Sequence, residues 1–176
     1  MAQFDQAKAD YGSAIQLNPA SGDALAGFAR LLAFAGDVAG AQTMATDAVE
    51  GTPDPPDWYF GVPALLALRA QIYGTAAARG LGPVVERLTW GYPTYGVVSG
   101  TSIRLGCEKK TDGDYGMFFK CQTSLVPTLR VRFGDALRFE GNRAVVFRLD
   151  EPFPEEAVRE LVELALTYQT WKGRGA

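Results

Sequence analysis

Aromatic and cationic side chains concentrate in the second half of the chain, where they could form a binding site for a small anion. In the segment ERLTWGYPTYG, residues 86–96, Trp90, Tyr92 and Tyr95 lie around Gly91 and Pro93. Aromatic walls with a few convergent polar groups are typical of ligand clefts, and arginine binds carboxylate or phosphate through a planar fork of donors. The candidate ligand-binding residues are Trp90, Tyr95, Arg104, Lys120, Gln122, Thr123, Arg143 and Tyr168.

The same aromatic segment has a structural interpretation, which we favour. Gly91 permits unusual backbone angles and Pro93 fixes another, so the pattern is typical of a corner between a helix and a strand. Trp90 and Tyr95 would then fill the gap between a sheet and a helix. The polar residues on the outer face of the sheet would simply be solvated.

A second group of candidate ligands is acidic. Carboxylates at helical spacing can hold a ferrous or other hard cation through oxygen ligands, and these are Asp150, Glu151, Glu155 and Glu156. Arg159 lies among them, which favours a solvated helix face whose carboxylates complement the helix dipole. We therefore expect no cofactor and keep iron as the alternative.

The absence of histidine excludes several classes of enzyme. The chain contains 0 His, so Ser-His-Asp and Cys-His nucleophile pairs and histidine metal ligands are ruled out. The sequence also shows no Walker motif, dinucleotide glycine pattern or metal-ligand cysteine cluster. We predict a non-enzymatic binding or adaptor protein.

Composition limits the partners and the location. The 176 residues carry a net charge of −3, and this lack of basic excess argues against nucleic-acid binding. No apolar run approaches the ~20 residues that span a bilayer, and the N-terminus lacks the pattern of a secretory signal. We expect a cytoplasmic protein that does not bind membranes.

The first third of the chain repeats with a period of 34 residues: Ala7 matches Ala41, Ala14 matches Ala48 and Pro19 matches Pro53. Small residues let helices approach closely, and the proline ends the second helix. Ala41, Ala45 and Ala48 are predicted to line the returning helix. Residues 3–53 resemble the tetratricopeptide repeat, with FDQAKADYGSAIQLNP as its second helix. The resemblance implies a protein partner, or self-association through residues 3–53. So few repeats form a shallow groove, which favours a packing role over peptide binding.

The segment EGTPDPPDWYF marks a boundary, because its prolines cannot continue a helix. We place a helical repeat segment at residues 1–53 and a second domain at 54–176. A helix is predicted from Trp58 to Tyr73, with Pro63 in its first turn, and a short helix from Pro83 to Leu88.

The period then changes to that of strands, in GVVSG, TSIRLGCEKK and YGMFFKCQT. An odd loop after the middle strand places Ile103, Leu105, Cys107, Met117, Phe119 and Cys121 on one apolar face. Cys121 would lie opposite Leu105 and Cys107 opposite Phe119. The thiols would be diagonal neighbours about 7–8 Å apart by Cα, beyond the reach of a relaxed disulfide. We expect both to be reduced and largely buried.

Further elements complete the second domain. SLVPTLRVRFG predicts a helix that ends before Gly134, and ALRFEGNRAVVFRLD predicts a hairpin with a two-residue Gly141-Asn142 turn. PFPEEAVRELVELALTYQTWK predicts one long helix, whose buried stripe is Val158, Leu161, Val162, Ala165 and Tyr168. This order of elements indicates an α+β fold, with a small antiparallel sheet packed against helices and an N-terminal helical repeat hairpin.

Four segments of the second domain resemble the YdhG-like family, a bacterial family of unknown function. They are ALLALRAQIY, ERLTWGYPTY, CQTSL and FEGNRAVVFRLDEPFPEEAVRELVELALTY, within residues 57–172. The resemblance implies a small antiparallel sheet against helices. The family fold has been compared with frataxin and an iron-delivery role proposed for some members, so it also implies the iron alternative.

Overall fold

The chain forms two compact units in a computed structural model, Met1–Leu66 and Ala67–Ala176. The structure describes residues 2–90, 92–106 and 114–173, without the side chains of residues 2–4 and 57. The architecture is α+β, as predicted: helices come first, and a sheet packed with helices follows. The predicted division into domains 1–53 and 54–176 stays a prediction.

The first unit is built on three helices, α1 (Ala2–Leu17), α2 (Gly22–Ala35) and α3 (Val38–Glu50). The hydroxyl of Ser21 caps α2 by accepting the N–H of Ala24 at 3.4 Å. Gly36 ends α2 with a φ of 84°, a left-handed conformation that glycine adopts without strain. Asp37 then caps α3 by accepting the N–H of Gly40 at 3.0 Å.

Small residues let α3 pack closely on α2. Ala41, Ala45 and Ala48 have 0% exposure, and their neighbours on α2 include Leu25 and Ala29. The predicted alanine stripe of the returning helix is confirmed.

The linker leads into a helix that begins later and ends later than predicted. Residues Asp57–Phe60 form a short 3₁₀ helix, and α4 runs over Gly61–Ala78. Pro63 lies in the first turn of α4, where its missing N–H costs no helical hydrogen bond. Val62 and Leu66 pack into the core of the first unit.

The second unit contains one open antiparallel sheet of six strands in the order β1-β2-β3-β4-β6-β5. Its strands are β1 (Val85–Thr89), β2 (Tyr92–Gly96), β3 (Ile103–Gly106), β4 (Tyr115–Phe118), β5 (Arg138–Glu140) and β6 (Ala144–Phe147). After α4, the described part of this unit contains the α-helices α5 (Leu125–Phe133), α6 (Glu155–Leu166) and α7 (Tyr168–Trp171), and a 3₁₀ helix at Gly134–Ala136.

The predicted helix at residues 83–88 is wrong, because these residues contribute to strand β1. β1 pairs with β2 in the register Glu86 to Tyr95 and Thr89 to Tyr92. Residues 86–96 are therefore a hairpin and not a helix-to-strand corner. Trp90 lies at its tip, 83% exposed, and fills no gap, whereas Tyr95 is 2% exposed as predicted. The strand predicted at GVVSG also lies earlier, because β2 ends at Gly96.

The apolar pattern predicted the faces of β3 and β4 correctly but not their register. Met117 lies opposite Leu105, where Cys121 was expected. The register differs from the predicted one by four residues. Because successive side chains alternate between the two faces of a strand, an even shift keeps every side chain on its predicted face. Cys121 lies beyond the end of β4 and is an exposed free thiol, so its predicted burial is wrong. Cys107 lies outside the described residues.

The last hairpin and the last helix differ from prediction in their turns. Glu140 lies opposite Ala144, so the turn contains Gly141, Asn142 and Arg143 and is not a two-residue turn. Thr167, with φ −106° and ψ 9°, separates α6 from α7 where one helix was expected. α5 ends at Gly134 as predicted.

The inner face of the sheet forms the core of the second unit. Its central residues are buried in register: Tyr95 beside Ile103, Leu105 beside Met117, and Met117 beside Val145. The whole predicted stripe of the last helical segment is buried, namely Val158, Leu161, Val162, Ala165 and Tyr168.

Candidate functional site

A cleft of about 580 Å³ in the second unit collects half of the predicted ligand-binding residues. It is lined by Lys120, Gln122, Thr123 and Tyr168, together with Arg87, Gln169, Lys172 and residues of the β2–β3 connection. This volume falls within the range usual for small-molecule sites, roughly 300–1,000 Å³.

One wall of the cleft, the β2–β3 connection at residues 97–102, is held by hydrogen bonds to the end of α6 and the start of α7. The N–H of Thr101 donates to the carbonyl of Ala165 at 2.9 Å, and the hydroxyl of Ser99 donates to that of Leu166 at 2.9 Å. The N–H of Gln169 donates to the carbonyl of Ser99 at 2.9 Å. The wall is therefore attached to a helix with a buried face.

Tyr168 supports the opposite wall. Its hydroxyl accepts the N–H of Ser124 at 3.1 Å, and its ring meets the edge of Trp171 with centroids 5.0 Å apart. The indole N–H of Trp171 donates to the carbonyl of Leu164 at 3.0 Å. This network orients the short helix α7 and with it the nearby Lys172.

The charged side chains that line the cleft in the described part of the chain are all cationic. Its charged lining residues are Arg87, Lys120 and Lys172, all exposed, and among the described residues no Asp or Glu lines it. Cationic side chains around a concave surface raise the local concentration of anions. The cleft is therefore suited to a carboxylate or phosphate group.

Arg104 and Trp90 lie together on the outer face of the sheet and do not line this cleft. The guanidinium carbon of Arg104 is 5.4 Å from the ring centroid of Trp90, 5.4 Å from that of Tyr92 and 5.5 Å from that of Phe118. These distances are those of cation–π contacts. Arg104 therefore contacts three aromatic side chains on the outer face and holds them together.

Tyr95 points to the inner face, into a polar network around Glu86. The Glu86 carboxylate accepts two hydrogen bonds from Arg69, at 3.3 and 2.7 Å, and one from the Tyr73 hydroxyl at 2.8 Å. Tyr95 also hydrogen bonds to Glu86. The network joins α4 to the β1–β2 hairpin and belongs to the structural framework.

Burial, hydrogen bonds and neighbouring charges shift the pKa values of Glu86 and Tyr95 in this network. Burial by itself raises the pKa of Glu86, but the hydrogen bonds from Arg69, Tyr73 and Tyr95 outweigh it, so this pKa lies below its ordinary value. Burial and the hydrogen bond to Glu86 raise the pKa of Tyr95 far above that of a free tyrosine. The network therefore favours a charged carboxylate and a neutral phenol.

We expect the stability conferred by Tyr95 to be complete below the ordinary tyrosine pKa of about 10 and to be lost as the pH rises above it. Tyr95→Phe removes this titration and a hydrogen bond to a charged group, which costs about 1.5–3 kcal/mol at neutral pH. Urea unfolding should be measured as the pH rises above about 10. Over this pH range, the free energy of unfolding should fall less for Tyr95→Phe than for the unaltered protein. An identical fall in both proteins would contradict the assignment. Tyr59, Tyr73 and Tyr115, whose pKa values burial also raises, contribute to the fall that remains in the variant.

The remaining predicted residues lie elsewhere. Arg143 is in the β5–β6 turn, where its carbonyl accepts the N–H of Phe119 at 2.7 Å. The acidic candidates mostly face cations or amides: Asp150 bonds to Arg148 at 3.0 Å, Glu151 to Arg138 at 2.7 Å and Glu155 to Gln71 at 3.2 Å. Within the described residues, no group of three or more His, Cys, Asp or Glu side chains could hold a metal ion.

Sequence reasoning missed Arg87 and Lys172 as cleft residues. Arg87 was assigned to a short helix, and the pattern of VERLT does not alternate, so it could not have indicated the strand β1. Lys172 was assigned to the end of one long helix, and the break at Thr167 that redirects the chain has no Gly or Pro signal.

A second candidate surface lies on α2 in the first unit. α2 packs against α1, where Tyr11 stacks on Phe28 with ring centroids 6.0 Å apart, and against α3. Its remaining stripe carries the exposed Arg30, whose guanidinium carbon lies 5.7 Å from the ring of Phe34. Arginine and aromatic residues are enriched at the energetic centres of protein interfaces.

Comparison with known proteins finds a similarity to a helical repeat in the first part of the chain. A tetratricopeptide repeat family model matches residues 1–72. The match extends past the predicted residues 3–53 and includes most of α4. No curated protein and no solved structure matches the chain.

This match supports a protein-interaction module at residues 1–72. In the described part of the chain, no helix combines the length and the apolar character needed to cross a membrane.

Proposed function

We propose that the protein is a non-enzymatic adaptor whose first unit binds a partner protein. The observation that carries this proposal is the tetratricopeptide repeat match over residues 1–72. Helical repeats of this kind bury their core between neighbouring helices and leave an extended surface for partners.

The exposed stripe of α2 is the binding surface in this proposal. Arg30 supplies a charge-assisted donor fork and Phe34 an apolar face next to it. An acidic or aromatic segment of the partner suits this pair, because arginine binds carboxylates and stacks on rings.

We expect Arg30→Glu to weaken partner capture at least tenfold, since about 1.4 kcal/mol of lost binding energy gives that factor. The measurement is quantitative affinity capture with the full chain, followed by a titration of any captured partner. Lys8→Glu is the matched control, because Lys8 is exposed on α1 and undergoes the same change of charge. Equal binding by both variants would reject the α2 surface.

A second function, the binding of a small anion, is favoured by the charge of the cleft in the second unit. The cations Arg87, Lys120 and Lys172 line it, and within residues 2–90, 92–106 and 114–173 no carboxylate does. Gln122 and Thr123 add polar groups that could orient a ligand.

We expect Lys120→Glu to weaken citrate binding at least tenfold, since a charge-assisted hydrogen bond is worth about 1.5–3 kcal/mol. Isothermal titration with citrate, repeated with inorganic phosphate, is the measurement. Lys8→Glu again serves as the control for total charge. The cleft has no anion-binding function if neither anion binds the unaltered protein.

We further propose that residues 57–172 form a YdhG-like domain, and that the domain division falls at residues 53 and 54. The support is the four sequence segments that resemble the family, together with the antiparallel sheet and helices of this unit. We do not extend the proposal to iron, because Arg148 and Arg138 already pair with Asp150 and Glu151.

A further inference from the structure

Strand β1 forms one edge of the sheet. Among the described strands it pairs with β2 alone. An edge strand presents backbone N–H and C=O groups that can pair with another extended chain, and proteins usually protect such edges with proline, charged side chains or a bulge. The sequence VERLT of β1 contains no proline. Its two charges are Glu86, whose carboxylate is already bonded to Arg69 and Tyr73, and Arg87, which attracts an acidic chain.

Pro93 determines which backbone groups of β1 point outward. Leu88 lies opposite Pro93, and proline has no N–H with which to complete a hydrogen-bonded pair. Paired and unpaired positions alternate along an antiparallel ladder. Arg87 and Thr89 therefore bond to β2, while Glu86 and Leu88 direct their backbone groups away from it.

The side chains along this edge are accessible and differ between the two faces. Arg87 lines the cationic cleft on one face, together with Val85, which is 56% exposed. Leu88, 57% exposed, belongs to the other face. An added strand would thus place alternate residues toward cations and toward an apolar side chain.

The hairpin tip offers a further exposed group. Trp90 is 83% exposed and has a φ of 53°. A bulky residue rarely adopts this left-handed conformation, and such outliers cluster at functional sites. Its ring lies beside Arg104 of β3, on the side of β2 away from the β1 edge, so this edge stays accessible.

We propose that β1 is a docking edge for an extended acidic peptide segment of a partner protein. The segment adds an antiparallel strand through the outward backbone groups of Glu86 and Leu88. Its acidic side chains lie toward Arg87, Lys120 and Lys172. This inference rests on the proposed anion-binding cleft and names the source of its anionic group.

The test uses an acetylated and amidated peptide of about seven residues in which Glu and Val alternate. The control peptide has Lys in place of Glu. We expect the acidic peptide to bind at least tenfold more tightly than the basic one. Hydrogen exchange at the amides of Glu86 and Leu88, fast in the free protein, should slow in its presence. Equal affinity of the two peptides, or unchanged exchange at both amides, would overturn the proposal.

A pair of substitutions at Leu88 separates the backbone contact from the side chain. Leu88→Pro removes an outward N–H and fixes φ, which an edge strand tolerates, and it should weaken the acidic peptide at least tenfold. Leu88→Ala, which loses the same side chain but keeps the N–H, should stay within about threefold of the parent. Equal binding by the two variants would contradict strand addition. If Leu88→Pro does not fold, the exchange of the unaltered protein decides.

Citrate binding tests the anion-binding cleft separately from the docking edge on β1. Citrate binding without peptide binding rejects the docking edge and leaves the anion cleft intact. If neither binds, both are rejected.

Discussion

Arg69→Met is expected to lower the free energy of unfolding by about 2–3 kcal/mol, because it leaves the Glu86 carboxylate without its cation. Arg69 gives Glu86 two hydrogen bonds and lies over the ring of Tyr73, with its guanidinium carbon 4.3 Å from the centroid. The two side chains are only 22% and 25% exposed. The value stays below that of a fully buried pair, because water still reaches both groups.

Urea unfolding measures this effect, and Arg79→Met is its matched control. Arg79 also pairs with a glutamate, at 2.6 Å to Glu163, but its side chain is 57% exposed. Exposed pairs contribute about 0.2–1 kcal/mol. If the two substitutions lower the free energy of unfolding equally, the network around Glu86 does not hold the β1–β2 hairpin against α4 more strongly than an exposed ion pair would.

Gly100→Ala is expected to cost about 1–3 kcal/mol, because the added methyl group overpacks a close approach to α6. A Cβ atom at Gly100 would lie 2.8 Å from both the Cα and the carbonyl oxygen of Leu166. Both are backbone atoms, so a rotamer change cannot relieve the contact. The β2–β3 connection must move, and with it one wall of the cleft.

Gly100→Ala is therefore expected to lower both the thermal stability of the protein and its affinity for citrate. Gly74→Ala is the control, since no atom lies within 4 Å of a Cβ at Gly74. In a helix this change stabilises by about 0.5–1 kcal/mol. A Gly100→Ala protein as stable as the parent would show that α6 does not restrain the connection.

Several elements follow from periodicity alone. The alanines at positions 41, 45 and 48 predicted a closely packed helix pair, and the stripe from Val158 to Tyr168 predicted a buried face. The faces of β3 and β4 were also correct, because the alternation of apolar residues determines which side of a sheet each residue occupies.

The errors arise where no local pattern decides. Residues 83–88 are too few to show a helical period, and their pairing with β2 selects the strand. The register of β3 and β4 depends on the length of their connection, so Cys121 fell outside the sheet. Half of the cleft was predicted, because Lys120, Gln122, Thr123 and Tyr168 come together. Tyr95 belongs to the opposite face, where its partner in the sheet is the buried Ile103.

The central claim is that the two units carry separate binding surfaces. Its most direct test is partner capture by three forms of the full chain: the unaltered protein, Arg30→Glu on α2, and the cleft variant Lys120→Glu with Lys172→Glu. The account predicts that partners specific to residues 1–72 are lost only from the Arg30→Glu form, and that citrate binding is lost only from the cleft variant. Retention of the same partners at the same affinity by Arg30→Glu would contradict it.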